Sequence, residues 1–134
     1  FQGFKEQVAE ENAARYGEEL EQRYGQKAIM ASRQKFAALS AKDYEAMENL
    51  AAQILDDLAQ AVQEGLSPSG EQGQNIAARH KQWLSYTWPS YTPEAHAVLA
   101  QMYVDDERFS QYYDEKQPGC ARFLREAIMK YCGQ

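Results

Sequence analysis

Between Ser40 and Gly65 the apolar residues return every three or four positions: Tyr44, Met47, Ala51, Ile54, Leu58, Ala61 and Val62, with Leu50 and Leu55 alongside. An α-helix places such a series on one face. A strand needs a two-residue alternation, and no segment of the chain reads that way. The punctuation agrees with the period. Ser40 brings a capping hydroxyl, Asp43 three residues on gives a capping-box-like start, and Gly65 supplies a C-terminal stop. A helix over Ala41 to Glu64 with one buried stripe therefore sets the fold class: all-α, with other helices covering that stripe.

The rest of the chain reads as further helices. Residues 4 to 23 are polar, with good helix propensity but a thin stripe of Phe4, Val8, Ala14 and Leu20. Gln26 to Ala38 predicts a short helix with Ile29, Met30 and Phe36 inward. A loop rich in Ser, Gly and Pro over 66–72 leads into a helix over Glu71 to Tyr86 carrying Ile76, His80, Trp83 and Leu84. Thr92-Pro93-Glu94 opens another helix: a capping Thr, Pro at the first helical position and an acid in the first turn. It carries His96, Leu99, Met102 and Tyr103 until Asp105-Asp106 interrupts it. A short helix over Glu107 to Asp114 presents Phe109, Tyr112 and Tyr113. Pro118-Gly119 resets the chain before a last helix over Cys120 to Cys132, with Phe123, Leu124, Ala127, Ile128 and Tyr131 inward.

A chain of 134 residues fits one domain with a real core. Its net charge of −6 argues against a grip on nucleic acid by this segment, which would need a basic face. No apolar run reaches the roughly 20 residues of a membrane span, and no signal peptide is visible. Cys120 and Cys132 suggest no disulfide framework, so the expected compartment is the cytoplasm. Phe1-Gln2-Gly3 reads as the remnant of a cleaved purification tag, leaving 4–134 as the native segment, expected to come from a longer protein.

Catalytic signatures are missing: the sequence has no phosphate-binding glycine loop, nucleophile elbow or cysteine-pair zinc motif. His80 and His96 stand on different helices without a defined third ligand, and read as core residues rather than metal ligands. Asp105, Asp106 and Glu107 read as helix capping rather than acid–base machinery. No metal, haem or other cofactor is expected, and no enzymatic activity. The unusual feature is aromatic density. Trp83, Tyr86, Trp88, Tyr91, Tyr103, Phe109, Tyr112 and Tyr113 fall within residues 83–113 and include both Trp and five of the nine Tyr. Several flank helix breaks, where side chains can line a cleft. Flat apolar rings with polar edges suit bulky, partly polar ligands; the same rings also suit an aromatic-rich core.

One ordered set of residues carries a resemblance. His80 with Trp83, Thr92-Pro93-Glu94 with His96, Met102-Tyr103, Asp106, Arg108-Phe109, Tyr113, Gly119, Phe123-Leu124 and Ala127-Ile128 resemble the TipA-type antibiotic-recognition domain (TipAS). The resemblance implies an all-helical, globin-like antibiotic-recognition fold without haem. It implies the effector-binding part of a MerR-type transcription activator, whose DNA-binding head and dimerisation helix lie upstream, so that the full-length regulator is a homodimer. The implied ligand is an antibiotic or drug-like small molecule, with residues 4–38 as mobile lid helices that close over it. The expected contacts are Trp83, Tyr86, Trp88, Tyr91, Met102, Tyr103, Phe109, Tyr112 and Tyr113.

One position departs from the family pattern. Just before the Ser/Thr-Pro-Glu helix start, the founding type has a Cys that captures thiopeptides covalently; here the residue is Tyr91. A phenol with a pKa of about 10 is a poor nucleophile at neutral pH. Cys120 and Cys132, on a different helix, are not expected to substitute, so binding is expected to be non-covalent. Two other readings remain at this point: a free-standing protein that sequesters a drug, and a helical protein-interaction module.

Overall fold

The computed structural model describes residues 25–134. The polar segment over 4 to 23, which the sequence leaves open between a solvated helix, a linker helix and partial disorder, and with it most of the predicted lid, lies outside the described residues. The described residues form six α-helices and no strand: α1 (Gln26–Ala37), α2 (Ala41–Gln63), α3 (Glu71–Leu84), α4 (Pro93–Asp105), α5 (Glu107–Asp114) and α6 (Cys120–Tyr131). None is long and apolar enough to cross a membrane.

α6 is the hub. It packs against α2, α3, α4 and α5, and its Leu124, Ala127 and Ile128 are fully buried. The stripe that defined α2 meets it: Met47, Ile54, Leu58 and Ala61 are buried, and Val62 and Leu55 pack on the same core. Ile76, Ala77 and Leu84 of α3 and Ala97, Ala100 and Tyr103 of α4 close the interior.

The caps follow the sequence. Ser40 Oγ accepts the Asp43 N–H at 3.0 Å, and Thr92 Oγ1 accepts the Ala95 N–H at 3.1 Å. Asp106 both ends α4 and caps α5, its Oδ1 accepting the Arg108 N–H at 3.0 Å. Gly119, at φ 99°, turns the chain into α6 and lies against Val62.

Three expectations are corrected. α3 stops at Leu84, not Tyr86. Its last carbonyls are taken by a tightened turn, Tyr86 N–H to Trp83 O and Thr87 N–H to Leu84 O, ahead of Pro89. Met30, expected inward, is 50% exposed, on a helix that fully buries none of its residues. Tyr131 is 37% exposed, although its ring still meets that of buried His96 edge-on, 6.4 Å between centres.

Candidate functional site

The tight end of α3 and the capped start of α4 leave a turn, 85–92, that folds back beside α3. A cavity of about 380 Å³ opens there, lined by Lys81, Gln82 and Leu84 of α3, by Ser85, Trp88, Pro89, Ser90 and Tyr91 of the turn, and by Lys35 of α1. Lys35 Nζ donates to the carbonyls of Ser85 at 2.7 Å and Trp88 at 3.0 Å, which ties α1 to the turn. Lys81 Nζ sits 4.4 Å from the centre of the Tyr91 ring, a cation–π contact on the cavity wall. Trp88 and Tyr91 stand 6.2 Å apart, ring centre to ring centre.

The nine predicted contact residues separate into groups. Trp88 and Tyr91 line the cavity. Tyr86, half-buried, belongs to the turn but not to the lining. Trp83 points to the other side of α3, packs on the core and tilts over His80, and its buried indole Nε1 has no hydrogen-bond acceptor among the described residues. Met102, Tyr103 and Tyr113 are 4%, 2% and 6% exposed, which puts them inside the core rather than on the cavity. Phe109 and Tyr112, partly buried, extend that second aromatic group: Tyr103 meets Phe109 and Tyr113, and Tyr113 meets Tyr112, at 4.8–5.0 Å between ring centres. The aromatic set thus divides between the cavity wall and the core.

A buried chain of hydrogen bonds joins the two groups. Tyr103 Oη lies 2.9 Å from His80 Nε2, His80 Nδ1 lies 2.9 Å from His96 Nε2, and His96 Nδ1 lies 2.8 Å from Tyr91 Oη. The imidazoles stack almost parallel, 5.0 Å apart. Each neutral imidazole donates once and accepts once and the terminal hydroxyls can do either, so the string is satisfied with both rings uncharged, whereas two imidazolium rings would set N–H against N–H between His80 and His96. Burial, and then the neighbouring His96, holds His80 well below the usual histidine range; burial, and then Lys81, lowers His96 to about 4. The two histidines are thus core residues, as expected, and they position Tyr91 at the cavity. Among the described residues no group of three or more His, Cys, Asp or Glu could hold a metal ion.

Cys132 adds a thiol beside Tyr91. It lies on a different helix from Tyr91, as read from the sequence, as the C-cap of α6, yet its Sγ lies 3.7 Å from Tyr91 Oη. Its chemistry still disfavours capture: burial raises the thiol pKa, so little thiolate exists near neutral pH. Burial also pushes the Tyr91 phenol up, reinforced by Cys132, Tyr131 and Glu94. Lys35, Lys81 and Cys132 were not among the predicted contacts. They come from three helices that meet only in three dimensions, and no sequence spacing links them.

A model of the TipAS antibiotic-recognition domain matches residues 16–131. The HTH-type transcriptional activators TipA of Streptomyces coelicolor and Streptomyces lividans are each 36% identical over 59 residues, 44% of this chain. The match spans only 23% of those relatives' length. The solved structure of TipAS from Streptomyces lividans with nosiheptide, described as part of a thiopeptide antibiotic multidrug resistance system, superposes with a TM-score of 0.73 at 28% identity, covering 88% of this chain and 83% of that one. The family match runs through the whole described body, α1 to α6, and the cavity at the α3–α4 turn lies within it, so the chain belongs to the TipAS antibiotic-recognition domain family.

Proposed function

We propose that this chain is the effector-binding domain of a MerR-type, HTH-containing transcription activator, and that it recognises bulky, largely apolar antibiotics without a covalent bond. The observation that carries this reading is the aromatic-walled cavity at the α3–α4 turn, in a domain of the TipAS family. Trp88 and Tyr91 offer flat apolar area with an indole N–H and a phenol at its edge. Ligand binding there biases an upstream DNA-binding dimer by favouring one of its states. DNA contact belongs to that upstream part, in keeping with the acidic balance of this one. Tyr86 belongs to the turn beside the cavity, and Trp83 with the Met102, Tyr103, Phe109, Tyr112 and Tyr113 group backs the site from the core side.

The test is a thermal-shift titration against nosiheptide, other thiopeptides, macrocycles and polyaromatic antibiotics, with tryptophan fluorescence as second readout. A ligand at 100 times its Kd adds about 2.7 kcal/mol of stability, a melting shift of several degrees. Quenching should persist in Trp83→Phe and fall sharply in Trp88→Phe. Intact mass spectrometry should show no adduct after denaturation. A flat response across the panel overturns the reading in favour of a protein-interaction module.

A further inference from the structure

The charge of the cavity runs against the charge of the molecule. The chain carries a net −6, yet the charged side chains that line the cavity are Lys35 and Lys81, with no Asp or Glu beside them. Neither ammonium is neutralised among the described residues. Lys35 spends two of its three N–H donors on the Ser85 and Trp88 carbonyls, which satisfies hydrogen bonds but not charge. Lys81 rests on the Tyr91 face, a contact that fixes the head group while leaving its outward donors open. Glu94 is the acidic group felt at Tyr91 and Cys132, and it does not line the cavity. Two like charges around one cavity repel each other, so an arriving anion relieves a cost already present and an arriving cation adds to it.

Resting on the proposed ligand site, we infer that this cavity selects an aromatic ligand that carries an anionic group (a carboxylate, sulfonate or phosphate), with its ring on Trp88 and its anion on Lys81. The remaining N–H of Lys35 is a second donor for the same anion. The indole and the anion site lie on one wall, because Trp88 and Tyr91 are neighbours and Lys81 is pinned on Tyr91. Selectivity then follows from differential affinity: neutral aromatics keep the ring contact alone, and cationic aromatics meet two ammonium groups.

Two probes of the same scaffold separate ring from charge: 8-anilinonaphthalene-1-sulfonate, an anion, and N-phenyl-1-naphthylamine, which is neutral. Fluorescence titration of the folded chain should give one site for the sulfonate, with affinity about tenfold above the neutral amine, as expected for one charge-assisted hydrogen-bonded pair. That preference should weaken with added salt. Lys81 is exposed, so Lys81→Met should fold normally, retain the neutral probe and bring the ratio close to one; Lys81→Glu should invert it. Equal affinities in the unmodified chain, or a sulfonate preference unchanged in Lys81→Met, overturn the charge inference and leave the aromatic site standing. Failure of both probes to bind, or binding unaffected by Trp88→Ala, overturns the site itself and the inference with it.

Discussion

At the scale of single residues, His80 and His96 are the most consequential pair. They are 1% and 0% exposed and hold four neutral groups in one string. In the unfolded chain each titrates near the ordinary histidine value of 6.5, whereas burial holds His96 in the fold near 4 and His80 well below its ordinary range. Below pH 6.5 the unfolded chain therefore takes up protons that the fold refuses. Stability is complete above that pH and falls as the pH drops towards 4, with a slope of up to about 1.4 kcal/mol per pH unit for each histidine. An acidic protein losing carboxylate charge would otherwise gain from relieved repulsion, so the sign is diagnostic. Urea midpoints at pH 7, 6 and 5 should decline, and a level or rising series would refute the neutral string. His80→Phe keeps a ring but takes one hydrogen-bond partner each from His96 and Tyr103, and should cost about 2–4 kcal/mol at pH 7 while flattening the pH dependence. The sequence already marked both histidines as core residues. It did not show that they bond to each other, because contacts sixteen positions apart across a turn leave no periodic trace.

Among elements, α2 and α4 were legible almost to the residue because side-chain caps mark their starts: Ser40 and Thr92 bond where their hydroxyls predict. The end of α3 was less so, since Ser85 and Tyr86 are acceptable in a helix and the competing turn is set by backbone bonds. The N-terminal end of α3 depends on a subtler fit. A Cβ at Gly73 would lie 2.1 Å from the carbonyl oxygen of Pro68 and 2.6 Å from its carbon, both backbone atoms with nowhere to go. The same Pro68 carbonyl accepts from Gln74 Nε2, which also reaches the Ala127 carbonyl of α6, so loop, α3 and α6 are locked together. Gly73→Ala, usually stabilising inside a helix, should here destabilise by about 2–3 kcal/mol through forced displacement of that loop. Denaturant titration decides it; a gain in stability would mean the 66–70 loop yields freely. The same locking makes Gly73 a packing requirement of the fold.

For the molecule as a whole, the question is which parts unfold together. Helices α2 to α5 all pack on α6, so a loss at the centre of α6 is felt by each. α1 contributes no buried residue, and Lys35 ties it to the α3–α4 turn. The sequence showed this contrast as two apolar stripes of different weight, dense over 41–64 and thin over 26–38; it could not show that the thin one would be held by a lysine on backbone carbonyls, which no apolar pattern encodes. The physical consequence is two levels of stability in one chain. Leu124 is fully buried, and Leu124→Ala should cost about 2–5 kcal/mol through lost transfer energy and the cavity left behind. Native-state hydrogen exchange should then show the slowest amides of α2 to α6 losing protection by one common amount, because they open only with the global unit. Amides of 26–37 should be nearly unmoved by Leu124→Ala and should instead exchange faster in Lys35→Met, which leaves the α2–α6 amides as they were. If the amides of α1 follow Leu124→Ala as closely as those of α6, α1 belongs to the core unit, and its hold on the cavity is deeper than one side chain.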